Sequence, residues 1–322
     1  MIVQYSAETL EQAAQIIQSG GLVAFPTETV YGLGADGTNA AAVAKIFEAK
    51  NRPSFDPLIV HIAELSWLFE IAETVPHKAQ TLIDKFWPGP LTVVLPKKRI
   101  IPDIVTAGLS GVGIRMPAND ISRQLIHASG TPIAAPSANK FSQISPTTAD
   151  HVREQLDDSV NLIIDGGPCS VGVESTIVSF MEPDPLLLRP GGLPMEEIEE
   201  IIGPLRIPAP HDCESASPGR SLRHYAPLTR LLLVDNYSDI PSGLSVGLLS
   251  FGPVKNPGRF QKIEVLSEKS DLREAACNLF ASMRRLDAAH LDLIVTSFVP
   301  DNGIGRAIND RLKRACTNRN RE

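Results

Sequence analysis

Four basic residues stand in or beside apolar, strand-like segments of a chain that is acidic overall. They are Lys50, Arg52, Arg115 and Arg189. Arg115 lies inside GVGIRMP, and a guanidinium there must be paired or face a cavity, because a bare buried charge costs several kcal/mol. The net charge of the chain is -7, so these cations indicate a local positive cavity and not a basic surface. Such a cavity suits a polyanionic small molecule.

Hydroxyl and amide groups accompany these cations. Thr29 lies in PTETVYGLG, Ser175 in GVESTIVSF, and APSANKFSQISPTT contains Ser137, Asn139 and Ser145. Charge-assisted contacts contribute roughly 1.5–3 kcal/mol each, so three or four of them suffice to anchor a nucleoside triphosphate. Taken singly, most of these residues also have a structural explanation, such as a turn or a helix cap.

A glycine pattern invites a different interpretation. Gly32 to Gly37 has the spacing G-x-G-x-x-G, but a dinucleotide-binding fingerprint starts directly after a strand and has an acidic residue after the next strand. Here residues 27–31 precede Gly32, and Asp56 stands before the strand-like PLIVHI. No Gly-Lys-Ser/Thr follows, which excludes a Walker A loop. We interpret the stretch as a loop whose glycines let the backbone turn close to a ligand.

The sequence contains no Ser-His-Asp or Cys-His arrangement and no grouping of carboxylates typical of a metal site. Catalysis would then depend on positioning and charge stabilisation, as in phosphoryl or nucleotidyl transfer. We expect Mg²⁺ to arrive with the nucleotide, and no metal site of the protein's own. His61, inside PLIVHI, is by itself more typical of a core histidine than of a catalyst.

The order of segments predicts an α/β protein with two domains. Residues 1–205 hold many strand candidates and few helices, which favours a twisted mixed sheet with helices around a basic cavity. Residues 206–227 contain four prolines and no periodicity, which is typical of a linker or lid. Residues 228–322 predict a smaller, Rossmann-like α/β domain. Among the helices, we predict 40–50, 149–156, 271–289 and 305–315.

Composition indicates a cytoplasmic protein without a membrane partner. No apolar run approaches the ~20 residues that span a bilayer, and the N-terminal segment carries acidic residues unlike a targeting peptide. The four cysteines, Cys169, Cys213, Cys277 and Cys316, include no C-x-x-C pair. Their spacing favours free thiols in a reducing compartment.

Several segments resemble, in the same order, the threonylcarbamoyl-AMP synthase family. They are PTETVYGLG, KNRPSFDPLIVHI, FWPGPLTVVL, GIRMP, PSANKFSQISPTT and ESTIV followed by LLRPGG, and SPGRSLRHYAP with GIGRAINDRLKRA resembles the two-domain long form. The resemblance implies a YrdC-like N-terminal domain, and a nucleotidyltransferase that forms threonylcarbamoyl-AMP and pyrophosphate from L-threonine, bicarbonate or CO₂, and ATP. The product supplies N6-threonylcarbamoyladenosine at position 37 of tRNA. The adenylate-forming step itself requires no tRNA, and a downstream tRNA threonylcarbamoyl transferase is an implied partner.

The same resemblance assigns the site. Arg115 would bind the carboxylate of L-threonine, and Lys50, Arg52 and Arg115 would stabilise charge during the reaction. The residues implied around L-threonine are Thr29, His61, Arg115, Ala135 and Ser175. Those implied around ATP are Lys50, Arg52, Asp56, Gly111, Ser137, Asn139, Ser145, Arg189 and Tyr225. The family usually has asparagine where this chain has Asp56, and an amide donates hydrogen bonds whereas a carboxylate only accepts them.

Two alternatives compete with this interpretation. An RNA-binding module could use the same basic cavity, but the charge of -7, the 5% aromatic content and the lack of a stacking ladder oppose it. A carbamoyltransferase of the hydrogenase-maturation type shares the YrdC-like unit. Such proteins carry additional zinc-finger segments, which the cysteine spacing of this chain does not supply.

Overall fold

The computed structural model describes residues 1–53, 56–207, 224–234, 243–255 and 257–316. Their strands form a ten-stranded sheet and a four-stranded sheet. The strands are β1 (Ile2–Gln4), β2 (Val23–Phe25), β3 (Gly32–Asp36), β4 (Ile59–His61), β5 (Leu91–Pro96), β6 (Gly111–Arg115), β7 (Ile133–Ala134), β8 (Leu162–Asp165), β9 (Thr176–Ser179), β10 (Leu186–Arg189), β11 (Leu231–Leu233), β12 (Val246–Ser250), β13 (Lys262–Val265) and β14 (Leu293–Thr296).

Helices flank both sheets. They are α1 (Ala7–Gln18), α2 (Ala40–Lys50), α3 (Leu65–Ile71), α4 (His77–Phe86), α5 (Asp103–Thr106), α6 (Asp120–Ser129), α7 (Ala149–Leu156), α8 (Met195–Ile202), α9 (Leu272–Asp287) and α10 (Gly305–Ala315). The helices predicted over 40–50, 149–156 and 305–315 have these bounds, and the one predicted over 271–289 is α9. The fold class predicted from the sequence is confirmed.

The large sheet is mixed, with the strand order β1-β8-β2-β3-β7-β4-β6-β5-β9-β10. β4 and β6 are parallel, and their last residues, His61 and Arg115, are register partners. β10 runs antiparallel to β9, so Arg189 at the end of β10 lies opposite Ile177 near the start of β9. Because β5 links β6 to β9, the predicted site residues of three strands meet at one edge of the sheet.

The glycine stretch does not form the loop expected from the sequence. Gly32 to Asp36 is strand β3, which pairs antiparallel with β2 and β7. A Cβ on Gly34 would lie 2.7 Å from both the Ile133 and the Phe25 side chains. The glycines therefore let three strands and their side chains pack closely, and no turn requires them. The rejection of a dinucleotide fingerprint stands.

The C-terminal sheet is entirely parallel, with the order β11-β14-β12-β13. Helices α9 and α10 pack on it, and their apolar faces form one core with Tyr225 and Val173. Most of the predicted linker, residues 208–223, lies outside the described residues, so the lid hypothesis stays a prediction there. Across the described ranges, no helix is long and apolar enough to cross a membrane.

Gly191, in the turn after β10, packs directly against the backbone of the site. A Cβ at this position would lie 2.3 Å from the carbonyl carbon of Ser175 and from the amide nitrogen of Thr176. Backbone atoms cannot move aside to make room for a Cβ, as the end of a flexible side chain can. The close approach therefore fixes where Ser175 stands relative to Arg189.

We expect Gly191→Ala to lower the free energy of unfolding by about 3 kcal/mol, the upper part of the usual range for overpacking. Urea unfolding followed by circular dichroism measures this change. Gly258→Ala is the matched control, because a Cβ on Gly258 meets no atom within 4 Å. Equal stability of the two variants would contradict the packing argument.

Candidate active site

A cavity of about 50 Å³ at this sheet edge brings most of the predicted site residues together. All five residues predicted for L-threonine line it. Of those predicted for ATP, Arg52, Ser137, Arg189 and Tyr225 line it. Lys50, Asp56, Asn139 and Ser145 lie one contact behind the lining. Gly111 is the first residue of β6, far along the strand from Arg115, and does not line the cavity.

Arg115 is held in place on three sides. Its NH1 donates to the hydroxyl of Thr29 at 2.8 Å, and its Nε donates to the carbonyl of Gly89 at 3.2 Å. Its NH2 lies 2.6 Å from Oε1 of Glu28. The buried guanidinium is therefore both paired and directed at the cavity, as its position in an apolar strand required.

Sequence analysis missed Glu28. Both of its carboxylate oxygens are buried, and neither is aligned with a hydrogen-bond donor in the described residues. The signal was available in the sequence: a buried arginine needs a counter-charge, and Glu28 is the acidic residue next to Thr29. Which carboxylate lies beside Arg115 is, however, decided by the tertiary structure, because Glu28 is distant from Arg115 in the sequence.

His61 faces the cavity as a neutral side chain. Burial, reinforced by the nearby charge of Arg115, lowers the pKa of His61 from 6.5 to about 3. Its Nδ1 is buried and has no hydrogen-bond partner in the described part of the chain. His61 can therefore exchange a hydrogen bond with a ligand, but at neutral pH it carries no charge.

Arg52 is a further cation in the lining of the cavity. Its Nε donates to the carbonyl of Asp56 at 3.2 Å and its NH2 to the carbonyl of Pro57 at 3.0 Å, while NH2 lies 2.9 Å from Oδ2 of Asp56. Burial raises the pKa of Asp56, and Arg52 opposes that rise. The carboxylate of Asp56 thus serves as the counter-charge of Arg52. A direct contact between Asp56 and ATP stays a prediction.

Lys50 lies behind the lining. It is buried at the end of α2, where its Nζ donates to the carbonyl of Ser137 at 2.5 Å and also to the carbonyl of Asn139. Burial and the neighbouring Arg52 lower the pKa of Lys50. The Asn139 amide in turn donates to the carbonyls of Lys140 and Gln143. Lys50 therefore shapes the loop after β7, and its predicted catalytic charge stays a prediction.

Arg189 and Ser175 form the wall beside β9. The guanidinium of Arg189 donates from Nε and NH2 to the carbonyl of Ser175, at 3.2 and 3.0 Å. The hydroxyl of Ser175 shares a 2.8 Å hydrogen bond with that of Thr92. Two predicted residues, one for each substrate, are therefore linked directly.

Tyr225 closes the cavity from the side of the C-terminal sheet. It is fully buried, and its ring stacks on Phe280 of α9 at 5.6 Å between centroids. Its hydroxyl has no hydrogen-bond partner among the described residues. The neighbouring His224, which sequence analysis did not select, also lines the cavity. Tyr225, which belongs to the predicted linker of residues 206–227, thus lines the cavity, and its contact with ATP stays a prediction.

The charges of the site favour an anion. The carboxylates of Glu28, Asp56 and Glu174 are each paired with an arginine, and Arg189 lines the cavity as a cation beyond these three pairs. Across the described residues, no group of three or more His, Cys, Asp and Glu side chains is arranged to hold a metal ion. The arrangement can bind and orient a polyanion and a small carboxylate side by side.

The cavity is small for such ligands. Pockets for small molecules usually measure about 300–1,000 Å³, against about 50 Å³ here. ATP and an amino acid therefore fit together only if part of the lining moves. His224 and Tyr225 are the lining residues that belong to the predicted linker of residues 206–227.

Comparison with known proteins agrees with the geometry. Residues 15–191 match the Sua5, YciO and YrdC family model, described as telomere recombination, and residues 193–317 match the C-terminal domain of threonylcarbamoyl-AMP synthase. The threonylcarbamoyl-AMP synthase of Pyrococcus abyssi is 43% identical, covering 94% of this chain and 92% of its own. That of Bacillus subtilis is 42% identical, covering 96% and 93%.

A solved structure extends the match to three dimensions. The crystal structure of P. abyssi Sua5 complexed with L-threonine is 41% identical and superposes with a TM-score of 0.91, covering 98% of this chain and 97% of that one. Fold, site and relatives together define an enzyme that makes an adenylate. The chain belongs to the threonylcarbamoyl-AMP synthase family, which confirms the resemblance found in the sequence.

The buried, neutral His61 makes stability depend on pH. The unfolded chain takes up a proton on this residue below about pH 6.5, whereas the folded protein does so only near pH 3. Folding stability due to His61 is therefore intact above pH 6.5 and falls as the pH drops, by about 2 kcal/mol between pH 7 and pH 5. We expect His61→Asn to remove that share of the acid destabilisation.

Urea unfolding of the wild type and the variant at both pH values measures the effect. His77→Asn is the control, because His77 is an exposed residue at the start of α4, so the pH dependence of that variant should match the wild type. An unchanged loss of stability in His61→Asn would show that His61 is not held neutral.

Proposed function

We propose that this enzyme forms threonylcarbamoyl-AMP and pyrophosphate from L-threonine, bicarbonate or CO₂, and ATP, and so acts as a nucleotidyltransferase. The observation that carries the proposal is a single cavity lined by three arginines with different partners. Arg115 is framed by Thr29 and Glu28, while Arg52 and Arg189 donate to the backbone carbonyls of Asp56 and Ser175. The P. abyssi relative solved with L-threonine supports the amino-acid side.

L-Threonine binds with its carboxylate on Arg115. The hydroxyls of Thr29 and Ser175 line the same cavity and select the hydroxyl of the substrate. Specificity follows because an analogue without that hydroxyl leaves buried polar groups unpaired. The neutral His61 adds a hydrogen-bonding group without repelling the ammonium group.

The reaction then needs no protein nucleophile. The deprotonated threonine amine attacks CO₂ and forms a carbamate, and a carbamate oxygen attacks the α-phosphorus of ATP. The new P–O bond replaces the bond to the β-phosphate, and pyrophosphate leaves. His61 and His224 are poor bases because burial lowers the pKa of both, so we infer that solvent or bicarbonate accepts the amine proton. After the proton has left, enclosure of the bound substrates protects the carbamate from bulk water.

ATP enters as its Mg²⁺ complex, so the metal belongs to the substrate. The carboxylates of Glu28, Asp56 and Glu174 are each paired with an arginine, which suits a metal that comes with its phosphates. Arg52 and Arg189 stabilise the charge that develops on the departing pyrophosphate. Lys50 supports them by holding the Ser137–Asn139 backbone.

The proposal also places the enzyme in a sequence of reactions. Its product supplies the threonylcarbamoyl group for adenosine 37 of tRNA through a downstream tRNA threonylcarbamoyl transferase, and the adenylate-forming step needs no tRNA. We infer a cytoplasmic location, supported by the free thiols of Cys169, Cys277 and Cys316. We keep the domain division at 1–205, 206–227 and 228–322 as part of this proposal.

We predict that the purified chain releases pyrophosphate from ATP only when L-threonine and bicarbonate are both present. A coupled pyrophosphate assay, with each substrate omitted in turn, measures this dependence. Mass spectrometry of the product provides the control, since it identifies threonylcarbamoyl-AMP directly. Turnover that persists without threonine, or no turnover with all substrates, would refute the proposal.

Separate substrate sides predict separate mutational effects. Arg52→Gln should raise KM for ATP about tenfold or more, and Arg115→Gln should do the same for L-threonine, since each loses a charge-assisted contact. The KM of the other substrate should change little in each case. Steady-state kinetics with one substrate varied at a time measures both values.

Arg123→Gln is the control, since Arg123 pairs with Asp120 at the surface and lies outside the cavity. This variant should leave both KM values unchanged. If Arg52→Gln and Arg115→Gln also left both values unchanged, the cavity would not be the substrate site.

A further inference from the structure

Glu174 puts a negative charge where the triphosphate is proposed to bind. It lines the cavity next to Ser175, and its side chain is buried. An uncompensated carboxylate at this position would repel the phosphates of ATP across a poorly screened interior. The N-terminal domain supplies a hydroxyl to it, since Ser145 donates to Oε1 at 2.6 Å, but a hydroxyl cancels no charge.

The neutralising charge comes from the C-terminal domain. Arg311, in α10, donates from Nε and NH2 to Oε2 of Glu174, at 3.1 and 3.0 Å. Arg311 is fully buried. Burial alone would raise the pKa of Glu174, but Arg311, Arg189 and the Ser145 hydroxyl together hold it below its usual range. The carboxylate is thus ionised and masked.

Arg311 also orders the groups around Glu174. Its NH1 donates to the carbonyl of Pro190 at 2.5 Å and also to the carboxylate of Asp310. Pro190 is the residue that follows Arg189 in the chain. Its guanidinium lies over the ring of Tyr225, 5.2 Å from the centroid. One side chain therefore touches the ends of three segments that line the nucleotide side of the cavity.

We propose that Arg311 is a positioning residue that masks the charge of Glu174, and that the C-terminal domain thereby makes the cavity able to accept a polyphosphate. This inference rests on the proposed function. It gives the C-terminal domain a role in the chemistry beyond attachment: without its arginine, the phosphate side contains a buried, unpaired anion.

The test is ATP binding measured by isothermal titration calorimetry in the presence of L-threonine. Arg311→Met should weaken ATP binding about tenfold or more, because it leaves Glu174 uncompensated. Arg311→Met combined with Glu174→Gln should restore the affinity to within about threefold of the wild type, because no charge then needs masking. A role in attachment alone predicts that the double variant binds as weakly as Arg311→Met.

A matched control separates charge masking from loss of an interdomain contact. Arg306 lies on the same helix and pairs with Glu196 of α8, with Nε 3.1 Å from Oε1, away from the cavity. Arg306→Met should leave ATP affinity unchanged. An equal loss in Arg306→Met, or a failure of Glu174→Gln to restore binding, would overturn the inference.

The double variant also guards against misfolding, since it contains no uncompensated buried charge even if Arg311→Met alone is unstable. Binding, unlike turnover, does not require the complete reaction. If the wild type binds no ATP, the proposed function fails before any variant is compared. If the wild type binds ATP and Arg311→Met binds it equally well, the inference about Arg311 is wrong, but the proposed function is not affected.

Discussion

The structure depends on burying arginines at one edge of a mixed sheet. A buried guanidinium is tolerated when a carboxylate and additional hydrogen-bond acceptors surround it. Three such pairs each contribute one residue to the cavity lining: Arg115 with Glu28, Arg52 with Asp56, and Glu174 with Arg311. In each pair the guanidinium also donates to a backbone carbonyl. The counter-charges hold the cations in fixed directions, and Arg189 adds a further cation to the lining.

This arrangement explains why the chain needs both sheets. Two of the three pairs are contained in the N-terminal domain, but the third crosses to α10. Tyr225 reinforces the same boundary through its stacking on Phe280 and its position under Arg311. The wall of the cavity around Glu174 and Tyr225 is therefore made by two domains, and its electrostatics depend on how they pack.

Much of the fold was accessible from the sequence because local patterns are strong there. Helix α2 has the predicted bounds because its cap is local: the side chain of Asn39 accepts hydrogen bonds from two amides of the first turn. Strand β3 was not predicted because its glycine-rich sequence, GLGAD, is typical of a loop. Its glycines meet Phe25 and Ile133, and neither contact is visible in the order of residues along the chain.

The sequence by itself determined the family, the α/β class and most of the cavity lining, because the motifs that carry Thr29, Arg115 and Ser175 are contiguous and distinctive. The tertiary structure decided which charges meet. Glu28 and Arg115 are 87 positions apart, and Glu174 and Arg311 are 137 apart. Only the strand order and the packing of α10 bring them within hydrogen-bonding distance. The residue type shows whether a side chain can carry a charge. Whether an opposite charge lies beside it depends on the three-dimensional structure.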